Sequence, residues 1–189
     1  MFWQHGFSGT STRTLAAALG ISSSSLYAAF GTKADLFGEA VRTYALRYSA
    51  IYERALKEPE VDGVIRRLLL DSVAEFTRTD EGHPGCLTSS AVMSDTPPTL
   101  DVRTFVADLQ DADETRLRVR FEQAASDGDL PSTTHPAELA DFVQTIWQGL
   151  SARAEIGTPR RELIRAVHFA LDLMSYPSHQ EAPFTPSST

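Results

Sequence analysis

Apolar residues recur every three or four positions along most of this chain, and no segment keeps up strand-like alternation, so the pattern predicts an all-α protein. Leu15, Ala16 and Leu19 form a short apolar face that stops at Gly20. Leu26, Ala29 and Phe30 form a second, with Gly31 and Thr32 behind it. Leu36, Phe37, Ala40, Val41, Tyr44, Tyr48, Ile51, Tyr52 and Ala55 make one stripe of a long helix that opens at Lys33, lasts to about Lys57 and is stopped by Pro59. Val61, Val64, Ile65, Leu68, Leu69, Val73 and Phe76 mark a helix to about Arg78, followed by a Gly- and Pro-containing loop from Thr79 to Gly85. Leu87 to Met93 reads as a short apolar helix ended by Pro97 and Pro98. From Leu100 to about Ala125, a long helix turns Val102, Phe105, Val106, Leu109, Leu117 and Phe121 inward beneath a charged outer face, and Gly128 and Pro131 close it. Pro136 opens a helix holding Leu139, Phe142, Val143, Ile146, Trp147, Leu150 and Ala154, ended by Gly157. Thr158 caps a last helix with Pro159 in its first position and Leu163, Ile164, Val167, Leu171 and Met174 inward. Phe2, Trp3 and Phe7 read as the end of a helix closed by Gly6, and Ser8 to Ser11 as a turn.

The stretch from Thr12 to Phe30 has the spacing of a helix-turn-helix. Ala16 stands four residues before Gly20, small enough for a second helix to cross closely, and Gly20 permits a left-handed bend. Ser11 or Thr12 can cap the first helix of the pair and Ser22 the second. Such a unit lays its second helix in the major groove of DNA.

Length and composition set the frame for that chemistry. The 189 residues, 42% of them hydrophobic, can bury a real core. No apolar run approaches the roughly 20 residues of a membrane span, and the start lacks the pattern of a signal peptide. The lone cysteine, Cys86, excludes an internal disulfide framework and fits a reducing, cytoplasmic setting. A net charge of −8 argues at first against nucleic acid, but Met1 to Tyr48 carries +2 and the rest −10. An acidic body with a mildly basic head can dock head first, leaning on helix N-termini for phosphate binding.

The run from Gly6 to Phe37 resembles the DNA-binding head of the tetracycline-repressor (TetR) family. The resemblance is carried by Gly6-Phe7, Thr10-Ser11, Leu15 to Ile21, Leu26-Tyr27, Phe30, Lys33 and Leu36-Phe37. The remainder is similar, more loosely, to the family's ligand-binding and dimerisation body, and PGCLTSSAVM looks like a recurrent body segment of one branch. The resemblance implies an N-terminal helix-turn-helix head on a helical bundle: residues 1–45 as DNA-binding domain, 46–176 as ligand-binding and dimerisation domain, 177–189 as a disordered Pro- and Ser-rich tail. Family members carry a fuller first helix, of which only the last turn is visible here. Its absence would expose the inner faces of Leu15, Leu19 and Phe30.

The resemblance also implies roles. Ser22, Ser23, Ser24 and Ser25 would meet base edges in the major groove, as hydroxyls that donate or accept, against the plainer reading of a polar helix cap. Tyr27 and Lys33 would touch phosphates, against a packing aromatic and a solvated lysine; Thr10, Ser11 and Thr12 would bind another phosphate at a helix start. Arg13 is either a contact or surface charge. An effector pocket would draw on Phe76, Cys86, Met93, Phe105, Phe121 and Trp147, residues that any core would also contain, and Trp147 can instead lie at a subunit interface. Cys86 is a sensor or a small buried hydrophobe; His83 beside it makes a poor metal pair, and no cofactor or metal is expected. His168 is read as structural.

Taken together these features imply a homodimeric transcriptional regulator, a repressor released by a small molecule. It would pair through the two C-terminal helices and bind a pseudo-palindromic operator in double-stranded DNA, with no membrane partner. The rival is an all-α small-molecule sensor whose shortened head no longer grips DNA. An enzyme is disfavoured, since no nucleophile elbow, HExxH or phosphate-binding glycine loop is present.

Overall fold

The computed structural model describes residues 1–78, 84–89 and 100–174, and these residues form eight helices and no strand. They are α1 (Phe2–Gly9), α2 (Thr12–Leu19), α3 (Ser23–Phe30), α4 (Lys33–Ala55), α5 (Val61–Phe76), α6 (Leu100–Asp127), α7 (Pro136–Glu155) and α8 (Arg160–Met174). Residues 87–89 add a short helical segment. Met93, His83, the rest of the short helix expected up to Met93, and the 177–189 tail lie outside the described residues.

The expected boundaries shift in two places for local reasons. Gly6, at φ 66 and ψ 179, breaks the first helix as expected, but a further helical turn follows it to Gly9, so Ser8 and Gly9 are helical where a turn was expected. Thr10 fixes that turn, donating its hydroxyl to the Gly6 carbonyl at 2.8 Å. α8 starts at Arg160, one residue after Pro159, whose carbonyl accepts the N–H of Glu162 at 2.8 Å.

Helix α5 lies at the centre of the body. It packs on α4, α7 and α8, and Val64, Leu68, Leu69, Val73 and Phe76 are fully buried. α6 lies along α7 and its N-terminal part rests on α4. There a Cβ on Gly38 would meet Val102 at 3.5 Å, and the Arg42 guanidinium lies 5.6 Å from the centre of the Phe105 ring. The same N-terminal half of α4 carries the head. Phe37 takes the rings of Phe2 and Phe7 at 5.1 and 5.4 Å, and Tyr44 takes Trp3 at 4.8 Å. One hydrophobic core therefore runs from Phe2 to Leu171, and α4 passes uninterrupted across position 45.

Of the three residues expected to lose cover, Leu15 is buried, whereas Leu19 and Phe30 are 56% and 37% exposed. Leu15 is the member of the set that points into the shared core, with Leu26 and Phe37. Phe142, expected inward, is exposed on α7.

Polar groups inside the bundle are paired, as burial demands. The Tyr52 hydroxyl donates to Gln144 Oε1 at 2.6 Å, joining α4 to α7. The Trp147 indole N–H donates to Ser72 Oγ at 2.8 Å, joining α7 to α5. Asp113 on α6 is buried with one ion pair, to Arg116 at 3.3 Å. Burial pushes its carboxyl up to about 6, with Arg116 pulling the other way. A carboxyl raised on folding binds its proton more tightly in the native state. It therefore adds stability below its unfolded pKa, and that contribution is lost as pH rises through its folded one. Asp113→Asn should make the protein more stable at neutral pH, by on the order of 1–2 kcal/mol in urea melts, with the gain vanishing near pH 4.

Candidate nucleic-acid interface

The geometry of the head follows from its caps. Ser11 accepts the Thr14 N–H at 3.0 Å and starts α2. Gly20, at φ 68 and ψ 25, ends it in the left-handed region, with its N–H on Ala17 and that of Ile21 on Ala16. Two residues later Ser22 accepts the Ser25 N–H at 3.0 Å and starts α3. Leu26, 2% exposed, and Ala16, 3% exposed, anchor the two helices inward. Gly31, at φ 75 and ψ −110, ends α3, and a reciprocal cap opens α4 at once. Thr32 Oγ1 accepts the Asp35 N–H at 3.1 Å while Asp35 Oδ2 accepts the Thr32 N–H at 2.8 Å. The Thr32 hydroxyl and N–H hold the Asp35 carboxyl below its ordinary range.

The four serines are all exposed at the free end of α3. Three of them are linked: Ser22 Oγ lies 2.8 Å from both Ser24 Oγ and Ser25 Oγ. Ser23 takes no part in that network. Tyr27 is half-exposed and its hydroxyl donates to Thr12 Oγ1 at 3.3 Å, bracing α3 against the start of α2. Ser11 is exposed and also engages the Thr14 hydroxyl.

Two residues sit differently from the simple expectation. Thr10 is 2% exposed, its hydroxyl turned inward to Gly6, so it shapes the turn and presents no side chain to a phosphate. The Lys33 ammonium donates to the Thr10 carbonyl at 2.8 Å and stands 4.2 Å over the Phe7 ring. It pins the start of α4 to the α1–α2 junction and keeps two further N–H donors. Arg13 is exposed on α2. Sequence reasoning passed over Ala28, which has no polar atom to draw attention. At 100° per residue, about 160° from the buried Leu26, Ala28 and Ser24 stand on the outer side of α3.

The five described residues of the six suggested for an effector pocket do not converge on one point. Phe76 and Trp147 are in ring contact at 5.2 Å, with Tyr48 against both. Cys86 joins that cluster, buried against Thr88 at 2.7 Å and bonded to the Tyr48 hydroxyl. Burial raises the phenols of Tyr44 and Tyr48, whose hydroxyls share a hydrogen bond of 2.7 Å. Phe105 stands apart beneath Arg42, and Phe121 is buried further along α6. Two clefts among the described residues have other walls. One of about 620 Å³ runs between α4 and α5, among Arg47, Arg54, Asp71, Glu75 and Arg78. One of about 440 Å³ is lined by Val61, Ile65, Leu130, Leu139 and Met174.

Two capped helices meeting at a left-handed glycine, with a polar helix end held outward on a helical body, define a helix-turn-helix regulator. Comparison with known proteins gives the family. Residues 1–40 match the model described as bacterial regulatory proteins, tetR family. The chain is 35% identical to a cysteine mutant of the TetR family transcriptional regulator CifR, solved in complex with 26 bp double-strand operator DNA. That match has a TM-score of 0.81 and covers 93% of this chain and 91% of the other. It is 27% identical to the HTH-type transcriptional repressor ComR of Escherichia coli over 92% of this chain and 83% of that protein. It is 28% identical to the HTH-type transcriptional repressor BdcR of Escherichia coli over 83% of this chain and 75% of that protein. The chain belongs to the TetR family of transcriptional regulators, and it is not an enzyme.

The two head glycines should respond differently to a methyl group. At Gly20 an added Cβ meets nothing within 4 Å, so Gly20→Ala should cost about 1 kcal/mol of backbone strain. At Gly31 it would lie 2.8 Å from Asp35 Oδ2, so Gly31→Ala should also break the cap and cost about 2–3 kcal/mol. Chemical denaturation of the two variants in parallel gives that order.

Proposed function

We propose that this protein is a cytoplasmic, homodimeric repressor that grips a two-fold-related operator with α3 of each subunit and lets go when a small molecule binds the body. The observation that carries this reading is the exposed, capped end of α3 on a chain 35% identical to CifR, which was solved on operator DNA. Ser22 to Ser25 would face the groove. Tyr27, Lys33, Ser11 and Thr12, with the N-termini of α2 and α4, would hold phosphates, and Thr10 would act through its carbonyl grip on Lys33. Residues 1–45 would be the DNA-binding unit and 46–176 the effector and dimerisation unit.

Apolar exposure supports the dimer. Phe142 and Gly149 on α7 and Ile156 at its C-terminal cap lie at seven-residue intervals, and Phe169 and Leu173 are one turn apart on α8. The four apolar side chains are 46–82% exposed. A second copy of the same pair of helices would cover them in a four-helix arrangement.

Release needs a path from body to head, and α6 supplies one. Its first turns touch α4 through Val102 and Phe105, beside Gly38 and Arg42, one turn from the head's anchor at Phe37. An effector held near the Tyr48, Phe76, Cys86 and Trp147 cluster would favour one placing of α6 on α4, and so one spacing of the two heads. No helix among the described residues is long and apolar enough to cross a membrane.

A gel shift on the promoter beside its own gene tests the reading, and absence of specific binding there and in a genomic selection would refute it. Phe169→Asp should weaken dimerisation at least about 100-fold in sedimentation and take specific DNA binding down with it. With one phosphate neutralised by Arg13 and one by Lys33 in each head, the affinity should fall with a log–log salt slope of about −3 to −4 per dimer. Lys33→Gln should flatten that slope by about 2.

A further inference from the structure

We infer that α3 recognises its site through thymine methyl groups and the local shape of the duplex, and not through hydrogen-bonded guanine or adenine edges. The inference rests on the DNA-binding reading above and narrows the class of sequence it would accept.

The reading helix lacks the side chains that grip a purine edge with two hydrogen bonds. From Gly20 to Gly31 there is no Arg, Lys, Asn or Gln. Those four are the bidentate readers of guanine and adenine in the major groove. Of the serine hydroxyls that remain, all but that of Ser23 are already engaged. Ser22 caps the helix, and Ser24 and Ser25 are hydrogen-bonded to it at 2.8 Å. The nearby cations also point elsewhere: Arg13 is on α2, and Lys33 is drawn to the Thr10 carbonyl.

The outer surface of α3 offers methyl and ring carbon instead. Ala28 is exposed on the side opposite Leu26, Tyr27 beside it is 50% exposed, and Ile21 at the turn is 40% exposed. In the major groove the apolar feature that distinguishes one base pair from another is the thymine 5-methyl, and alanine is a residue type that meets it. With no bidentate pair, each base contributes little, so discrimination is spread over several positions and shared with the bending and groove width of the duplex. Phosphates set the register.

Modified bases separate these modes. The full-length protein is first used to select a site from a random duplex library. In the best site each thymine is replaced in turn by deoxyuridine, which removes the methyl. Each guanine is replaced by 7-deazaguanine, which removes the N7 acceptor. Affinities are read by fluorescence anisotropy. We expect deoxyuridine at one or two positions per half-site to weaken binding about three- to tenfold, and 7-deazaguanine to change it less than about twofold. Ala28→Ser keeps the size of the side chain nearly unchanged and should remove the sensitivity to deoxyuridine. A loss of about tenfold or more on 7-deazaguanine substitution, or indifference to both replacements, overturns the inference while leaving a DNA-binding protein. A selection that enriches no sequence overturns the DNA-binding reading itself.

Discussion

The structure depends on one helix serving two masters. The aromatic stripe of α4 is buried at Phe37 by the first helix of the head and at Tyr48 and Tyr52 by the body, with Tyr44 shared between them. An α-helix transmits displacement because its backbone bonds fix each turn to the next, and α4 runs 23 residues without a break. Head and body are therefore held in one frame. In the proposed release, a shift of α6 against Gly38 and Arg42 would be passed to the helix-turn-helix through α4 itself.

The head is small, and capping does much of what burial cannot. α2 and α3 bury only Leu15, Ala16 and Leu26 between them, too little apolar surface to define two eight-residue helices alone. Serine caps at Ser11 and Ser22, the left-handed Gly20 and the Thr32–Asp35 box set where each helix begins and ends. The Lys33 ammonium adds a link between α4 and the turn before α2. The arrangement fixes the angle of α3 while leaving its outer side unengaged by the rest of the fold.

The body follows a different rule. Its core is dense and apolar, and polar groups within it join helices: Tyr52 to Gln144 and Trp147 to Ser72. Hydrogen bonds of this kind add orientation to a core whose apolar contacts are non-directional. They concentrate where α4, α5 and α7 converge, which is also where the Cys86 thiol is held.

Much of this was legible along the chain because the rules involved are local. Apolar spacing marked α4 to α8 to within a few residues, and Gly20, Ser22 and Gly31 marked the helix-turn-helix, since a left-handed bend and a side-chain cap each depend on one residue and its near neighbours. Contacts between distant segments were not legible. Nothing in the sequence tells that Thr10 turns inward, that Lys33 reaches back 23 residues to its carbonyl, or that Phe76 and Trp147 meet while Phe105 stands apart under Arg42. Those placements are decided by how helices cross, a property of the assembled fold. The sequence by itself determined which stretches are helical and which residues cap them; the tertiary structure alone decided which side of each helix is left exposed for a partner.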